Sequence, residues 1–144
     1  MALITSSTIA TAIYAFLVSY VTDPESRSNP DWIEAVGADP SDSFVGWPII
    51  RLGQVTFKDY EKKFGTGESS IVSREGQMII MVYSDSYSKL HSVIDGILQV
   101  FATYESSLNT VGLRRVRFTV GEGDVASDGA DTVHSCPITL EFVV

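Results

Sequence analysis

Side chains able to act as bases, nucleophiles or metal ligands are few and scattered along the chain. The histidines are His91 and His134, and the single cysteine is Cys136. His134 and Cys136 stand two apart, so a strand would point both to one face. Such a pair supplies two of the four ligands that a zinc ion takes. The sequence offers no second cysteine and no neighbouring carboxylate–histidine set to complete the shell, so no metal site is expected. Cys136 reads instead as a small core or edge residue in a reducing compartment. His91 reads as a partly buried histidine beside the apolar stripe of a helix.

A second group, Glu122, Asp124, Asp128 and Asp131, gathers carboxylates without a base among them. Calcium loops need oxygen ligands at close, regular spacing, and Asp124 and Asp128 are too far apart for that pattern. Neither Gly65-Thr66-Gly67 nor Gly121-Glu122-Gly123 has the spacing of a phosphate-binding loop. No nucleophile elbow and no H-E-x-x-H motif is present. With no nucleophile–base–orienter set to assemble, the sequence predicts a protein that is not an enzyme and carries no cofactor.

These residues need elements to position them. The chain has 144 residues, 44% of them hydrophobic and 19% charged, with a formal charge of −8. That suits one domain over 1–144 with a sizeable core. The acidity argues against a dedicated nucleic-acid-binding module. Residues 1–22 hold no charge. Their apolar run, Ile9 to Val21, is shorter than a bilayer span, and no basic residue precedes Arg27 to make a signal peptide. A largely buried first helix is predicted, with the Thr5–Thr8 hydroxyls at its start. A Pro- and Gly-rich loop over 23–46 follows. One helical turn is expected at 30–36, capped by Asn29 and stopped by Gly37.

Trp47 to Phe57 reads as a strand with a bulge at Gly53, and residues 58–73 as a long polar hairpin connection. Arg74 to Tyr83 is a second strand, with Met78, Ile80 and Val82 on one face. Its largely apolar second face, Ile79, Met81 and Tyr83, marks it as central. Leu90, Val93, Ile94, Ile97, Leu98, Phe101, Ala102 and Leu108 follow the helical repeat of an amphipathic helix over 86–109, and Gly112 stops it. Leu113–Val120 and Val133–Val144 alternate as strands around a loop at 121–132. In the first, Val116, Phe118 and Val120 are expected inward. Arg115 and Arg117 are placed to pair with Glu141 across the strands. The fold class is α+β in the order α-β-β-α-β-β. It is a four-stranded, mostly antiparallel or mixed sheet with helices packed on one face.

This layout resembles the tail terminator and tail completion proteins of long-tailed phages and related viruses. The resemblance is carried by the strand opening Trp47-Pro48-Ile49-Ile50-Arg51-Leu52-Gly53, by the strand Met78–Tyr83 running into helix 86–109, and by the closing hairpin. It implies a structural virion protein: a homo-oligomeric ring, a hexamer, that caps the tail tube, joins it to the head and meets head-completion or neck proteins. DNA would pass through it unbound, no membrane would be involved, and the location would be the virion, with the host cytoplasm before assembly. Lys58, Asp59, Glu61, Lys62 and Lys63 are then candidates for contacts with a neighbour or the tube. Glu122, Asp124, Asp128 and Asp131 are candidates for an acidic loop facing the lumen, where like charge repels phosphate. A head-side neck adaptor and a non-viral α+β domain binding a ligand or peptide at a sheet edge are the competing readings.

Overall fold

A computed structural model of the chain describes residues 5–27, 30–37, 45–64, 68–128 and 131–144. Side chains at 30, 59–64, 68–73, 128 and 131 lie outside that description. Helix α1 spans Ser6–Tyr20, and Thr5 caps it by accepting the Thr8 N–H at 3.1 Å. Its buried residues are Ile9, Ile13, Phe16 and Leu17. Their spacing of three and four puts them on one face. The helix is therefore covered on one side rather than sunk in the core. Among the described residues no helix is long and apolar enough to cross a membrane.

The loop expected at 23–46 contains structure of its own. A 3-10 turn at Pro30–Trp32 runs into a two-residue strand β1, Ile33–Glu34, in place of a helical turn to residue 36. Trp32 and Ile33 are buried in the core; that burial recruits the segment, which its turn-rich composition conceals. The Asn29 cap falls outside the described residues.

Strands β2 (Ile49–Leu52), β3 (Thr56–Phe64), β4 (Glu68–Ser84), β5 (Arg114–Val120), β6 (Asp124–Asp128) and β7 (Asp131–Val143) complete a sheet of seven strands, not four. Its path is β1-β2-β4-β7-β5, with β3 also on β4 and β6 also on β7. The excess over four has a simple origin. The expected strand Trp47–Phe57 is broken into β2 and the start of β3, which share one flank of β4, while β6 arises in the expected loop 121–132 and shares the flank of β7 with β5. At each break a glycine re-forms the ladder. The Gly53 N–H donates to the Ile79 carbonyl at 2.8 Å, and the Gly121 N–H to the Pro137 carbonyl at 2.8 Å. A Cβ on Gly53 would lie 2.8 Å from the Ile79 oxygen, and one on Gly121 would lie 2.8 Å from Pro137 Cγ, so neither break tolerates a side chain. β1 is the remaining addition and pairs parallel with β2; the other pairings are antiparallel.

Helix α2, Tyr87–Thr110, begins at its cap Ser86 and kinks at Tyr104. Leu90, Val93, Ile94, Ile97, Phe101 and Leu108 are buried as their spacing predicts. Val100 joins them, while Ala102 is exposed. Both helices lie on one face of the sheet, over Met78, Ile80 and Val82 of β4 and Ile138, Leu140 and Phe142 of β7. Phe16 of α1 stacks on Phe101 of α2 with centroids 4.9 Å apart, and Phe101 meets Phe118 of β5 at the same distance. One aromatic column thus runs through every layer. β4 is central, as expected, but not because both its faces are covered: Ile79, on the face away from the helices, is 41% exposed.

Candidate functional site

The register of β7 against β4 decides which polar residues meet. His134 pairs with Ser84 and Cys136 with Val82, so both point to the helix side, as their two-residue spacing requires. Ser84 stands just before α2, so the same pairing brings the first turn of α2 over them. Tyr87 lies 4.3 Å from His91 and 6.0 Å from His134, centroid to centroid. A hollow of about 330 Å³ opens there, walled by Tyr87, Leu90 and His91 of α2, Val120 and Val125 beside the β5–β6 break, and His134 and Cys136 of β7. His91, expected partly buried, is exposed on α2, and it shares this one cavity with the His134–Cys136 pair more than forty residues further along the chain.

The chemistry of that cavity is limited. Cys136 is buried, and its thiol donates to the Gly121 carbonyl at 3.4 Å. Burial pushes the thiol pKa up, which disfavours the nucleophilic thiolate. Among the described residues no three His, Cys, Asp or Glu side chains are grouped to hold a metal ion. What distinguishes the hollow is its apolar lip. Tyr87 is 63% exposed, Val125 57% and Val120 42%. Val120 was expected inward; the break at Gly121–Gly123 ends the alternation and leaves it on the surface.

Two of the acidic residues flank this lip, Asp124 in its wall and Glu122 between the lining glycines Gly121 and Gly123. Glu122 and Asp124 are exposed, and Asp124 accepts the Val125 N–H at 2.8 Å. Asp128 and Asp131 face each other as the last pair of the β6–β7 hairpin. The segment expected to be a loop over 121–132 is thus largely strand, and it forms one end of the sheet.

The opposite end holds most of the basic residues, interleaved with Asp59, Glu61, Glu68, Glu75 and Glu141. β4 pairs with β7 only from Glu75 onward, with Arg74 and Val144 exchanging backbone bonds just beyond. From Tyr60 to Phe64 and from Glu68 to Ser73, β3 and β4 pair only with each other among the described residues. The expected connection 58–73 is in fact a two-stranded ribbon, projecting about 20 Å beyond the sheet at 3.3 Å per residue. Its polar sequence hid it, because it carries no apolar alternation to mark a strand. Lys58 is exposed at its base. Asp59, Glu61, Lys62 and Lys63 lie on its backbone, in register with Arg74, Ile71, Ser70 and Ser69. Lys58, Lys62, Lys63, Arg74, Arg114, Arg115 and Arg117 belong to this end, seven of the chain's ten basic residues. The expected cross-strand pair is present: Arg117 reaches Glu141 at 3.9 Å, exposed on both sides. Arg115 instead sits at a bulge with φ of 51°.

Sequence reasoning missed a third feature, the clasp around Arg27. Its guanidinium binds Asp23 through Nε at 2.7 Å and Nη2 at 3.1 Å, and donates to the Gly46 and Pro48 carbonyls at 2.8 Å each. It also lies 5.4 Å from the Trp32 ring centroid. Burial alone would raise the Asp23 carboxyl, but the Arg27 bond, two backbone N–H groups and the guanidinium charge hold it below its ordinary value. The clasp ties both ends of the 23–46 excursion to the start of β2. Only the early basic residue after an uncharged helix hinted at it.

No protein-family model matches the chain, and no curated protein matches its sequence.

Proposed function

We propose that the chain is a structural assembly subunit, a tail terminator or completion protein that forms a ring on the tail tube of a long-tailed phage and joins it to the head. The observation that carries this reading is the projecting β3–β4 ribbon. A two-stranded ribbon is marginal in water by itself, and its outer edges, which pair with no further strand among the described residues, are open to pairing with another chain. Such an arm suits a protein whose work is done by contact with neighbours. The charge distribution supports the same reading. A ring needs heterologous contacts, one surface against a different one, and the two ends of this sheet differ: one gathers Glu122, Asp124, Asp128 and Asp131, the other most of the basic residues among carboxylates.

The test is sedimentation across a concentration series, with negative-stain images at the highest concentration. Closed rings of about six subunits with an open centre are expected, because heterologous contacts that close make rings. A monomer at every concentration that also fails to co-sediment with assembled tail tubes refutes the reading. In the ring, changing Glu122, Asp124, Asp128 and Asp131 to amides should slow DNA passage without unfolding the chain; unchanged ejection kinetics would remove the lumen role. The ligand- or peptide-binding reading is favoured by the apolar-lipped hollow at the start of α2.

A further inference from the structure

The sheet has two faces, and the helices cover one of them. On β4 the residues turned toward the helices, Gly76, Met78, Ile80, Val82 and Ser84, are all buried. The residues between them are not, yet they are not the polar set that a water-facing strand carries. Ile79 is 41% exposed, and Met81 and Tyr83 are partly exposed beyond it. The register carries this patch across the sheet. Ile79 pairs with Thr139 and Thr139 with Thr119, while Met81 pairs with Pro137. Thr119 is exposed, and Thr139 and Pro137 are partly so. This middle holds no charge. Two ion pairs stand at its sides, Arg51 with Glu34 at 2.8 Å and Arg117 with Glu141 at 3.9 Å.

We infer that this outer face is a self-complementary interface, across which two copies of the chain pack sheet on sheet as an isologous dimer. Three arguments select a second copy as the occupant. The first is area. The β4–β7 ladder has ten residue pairs, about 33 Å at 3.3 Å per residue, and four strands lie abreast over about 19 Å. The plane is about 600 Å²; the accessible surface over its side chains is larger, and each partner of a stable interface contributes about 800 Å². The second is composition: an uncharged middle with charged residues at the rim is the anatomy of an interface. The third is charge. A chain of net charge −8 repels its own copy, and approach costs least where the facing surface is uncharged and its flanking charges are already paired. The same contact accounts for the apolar second face of β4, which the fold of one copy leaves open. The inference goes beyond the assembly reading and does not rest on it, since an isologous contact closes at two copies and a ring needs a different, heterologous surface.

The experiment is sedimentation equilibrium of the full chain at low and high salt. Ile79→Lys and Thr139→Lys alter the centre of the face, and Val125→Lys, on the lip of the hollow, is the control. The wild type should form a dimer that salt strengthens, because salt screens the repulsion between two acidic chains. Each central variant should weaken the dimer about tenfold or more, since it sets like charges against each other across the contact. Val125→Lys should leave it unchanged. Far-ultraviolet circular dichroism of each variant checks that it folds. Met81 gives a readout that needs no substitution. Its oxidation by hydrogen peroxide should slow about threefold or more as the wild type passes from monomer to dimer. A wild-type chain that stays monomeric overturns the inference and leaves the face to a different protein. Association that survives both central variants overturns it too, as does a Met81 oxidation rate that ignores concentration. Association lost only in Val125→Lys would move the contact to the hollow and likewise refute this face. Dimers that never grow into rings would support this interface and count against the ring reading; rings that persist in both central variants with Met81 unprotected would do the reverse.

Discussion

Replacing Arg27 by Met keeps the aliphatic stem and removes the guanidinium from the clasp. The change deletes the two-pronged contact to Asp23 and the donors to the Gly46 and Pro48 carbonyls. The side chains of Arg27 and Asp23 are 15% and 8% exposed, so solvent replaces these bonds only in part. Removing one partner of a fully buried ion pair costs about 3–5 kcal/mol, and hydrogen bonds to charged groups are worth about 1.5–3 kcal/mol each. Allowing for the residual exposure, the expected loss is about 3 kcal/mol. For a chain of this size that lowers the melting temperature by about 6–12 °C. Urea unfolding followed by circular dichroism reads the loss, and a double-mutant cycle with Asp23→Asn isolates the pair. The pH dependence has a definite sign. The Asp23 carboxyl is held below its ordinary 3.8, so its contribution is complete above that pH and fades as pH falls below it. The gap between wild type and Arg27→Met should therefore narrow on going from pH 7 to strongly acid solution. A loss under about 1 kcal/mol, or strict additivity with Asp23→Asn, would refute the clasp as the anchor of the 23–46 segment.

Gly76 lies opposite Phe142, and a Cβ there would come within 2.6 Å of the ring's Cζ; Gly76→Ala should cost about 1–3 kcal/mol in urea unfolding, less when combined with Phe142→Leu. Cys136 is buried with its thiol pKa raised by that burial, so a thiol-specific disulfide reagent near pH 8 should label it at least about tenfold more slowly in the folded chain than in urea; equal rates would show the thiol open to solvent. Replacing residues 61–72 by Asn-Gly, which joins the paired Tyr60 and Ser73 through a tight hairpin turn, should change stability by less than about 1 kcal/mol, since a two-stranded ribbon by itself contributes little, yet abolish ring formation in sedimentation. Lys89→Ala removes an exposed ion pair with Glu25 and should leave the unfolding midpoint unmoved.

Local signals were read directly from the chain. The Thr5 cap, the apolar stripe of α2 and the facing pair Arg117 and Glu141 each depend on residues a few positions apart or on strict alternation. The helix-side faces of β4 and β7 were legible for the same reason: a buried face imposes a period of two on the residues that line it.

The remainder was decided by contacts between segments distant in sequence. β1 exists because Trp32 and Ile33 fill a place in the core, which no local pattern announces. The breaks at Gly53 and Gly121 are visible only against Ile79 and Pro137 on the neighbouring strands. The ribbon escaped notice because its sequence carries no apolar alternation, and its pairing shows only in the register of β3 against β4. His134 and Cys136 were read as a pair on one strand face, but His91 joined them only when the β4–β7 register set the start of α2 above β7. Sequence determined the faces of the elements, since burial writes periodicity locally. Tertiary structure alone decided which charged residues gather at each end of the sheet, because that depends on the register of strands up to 68 residues apart in the chain.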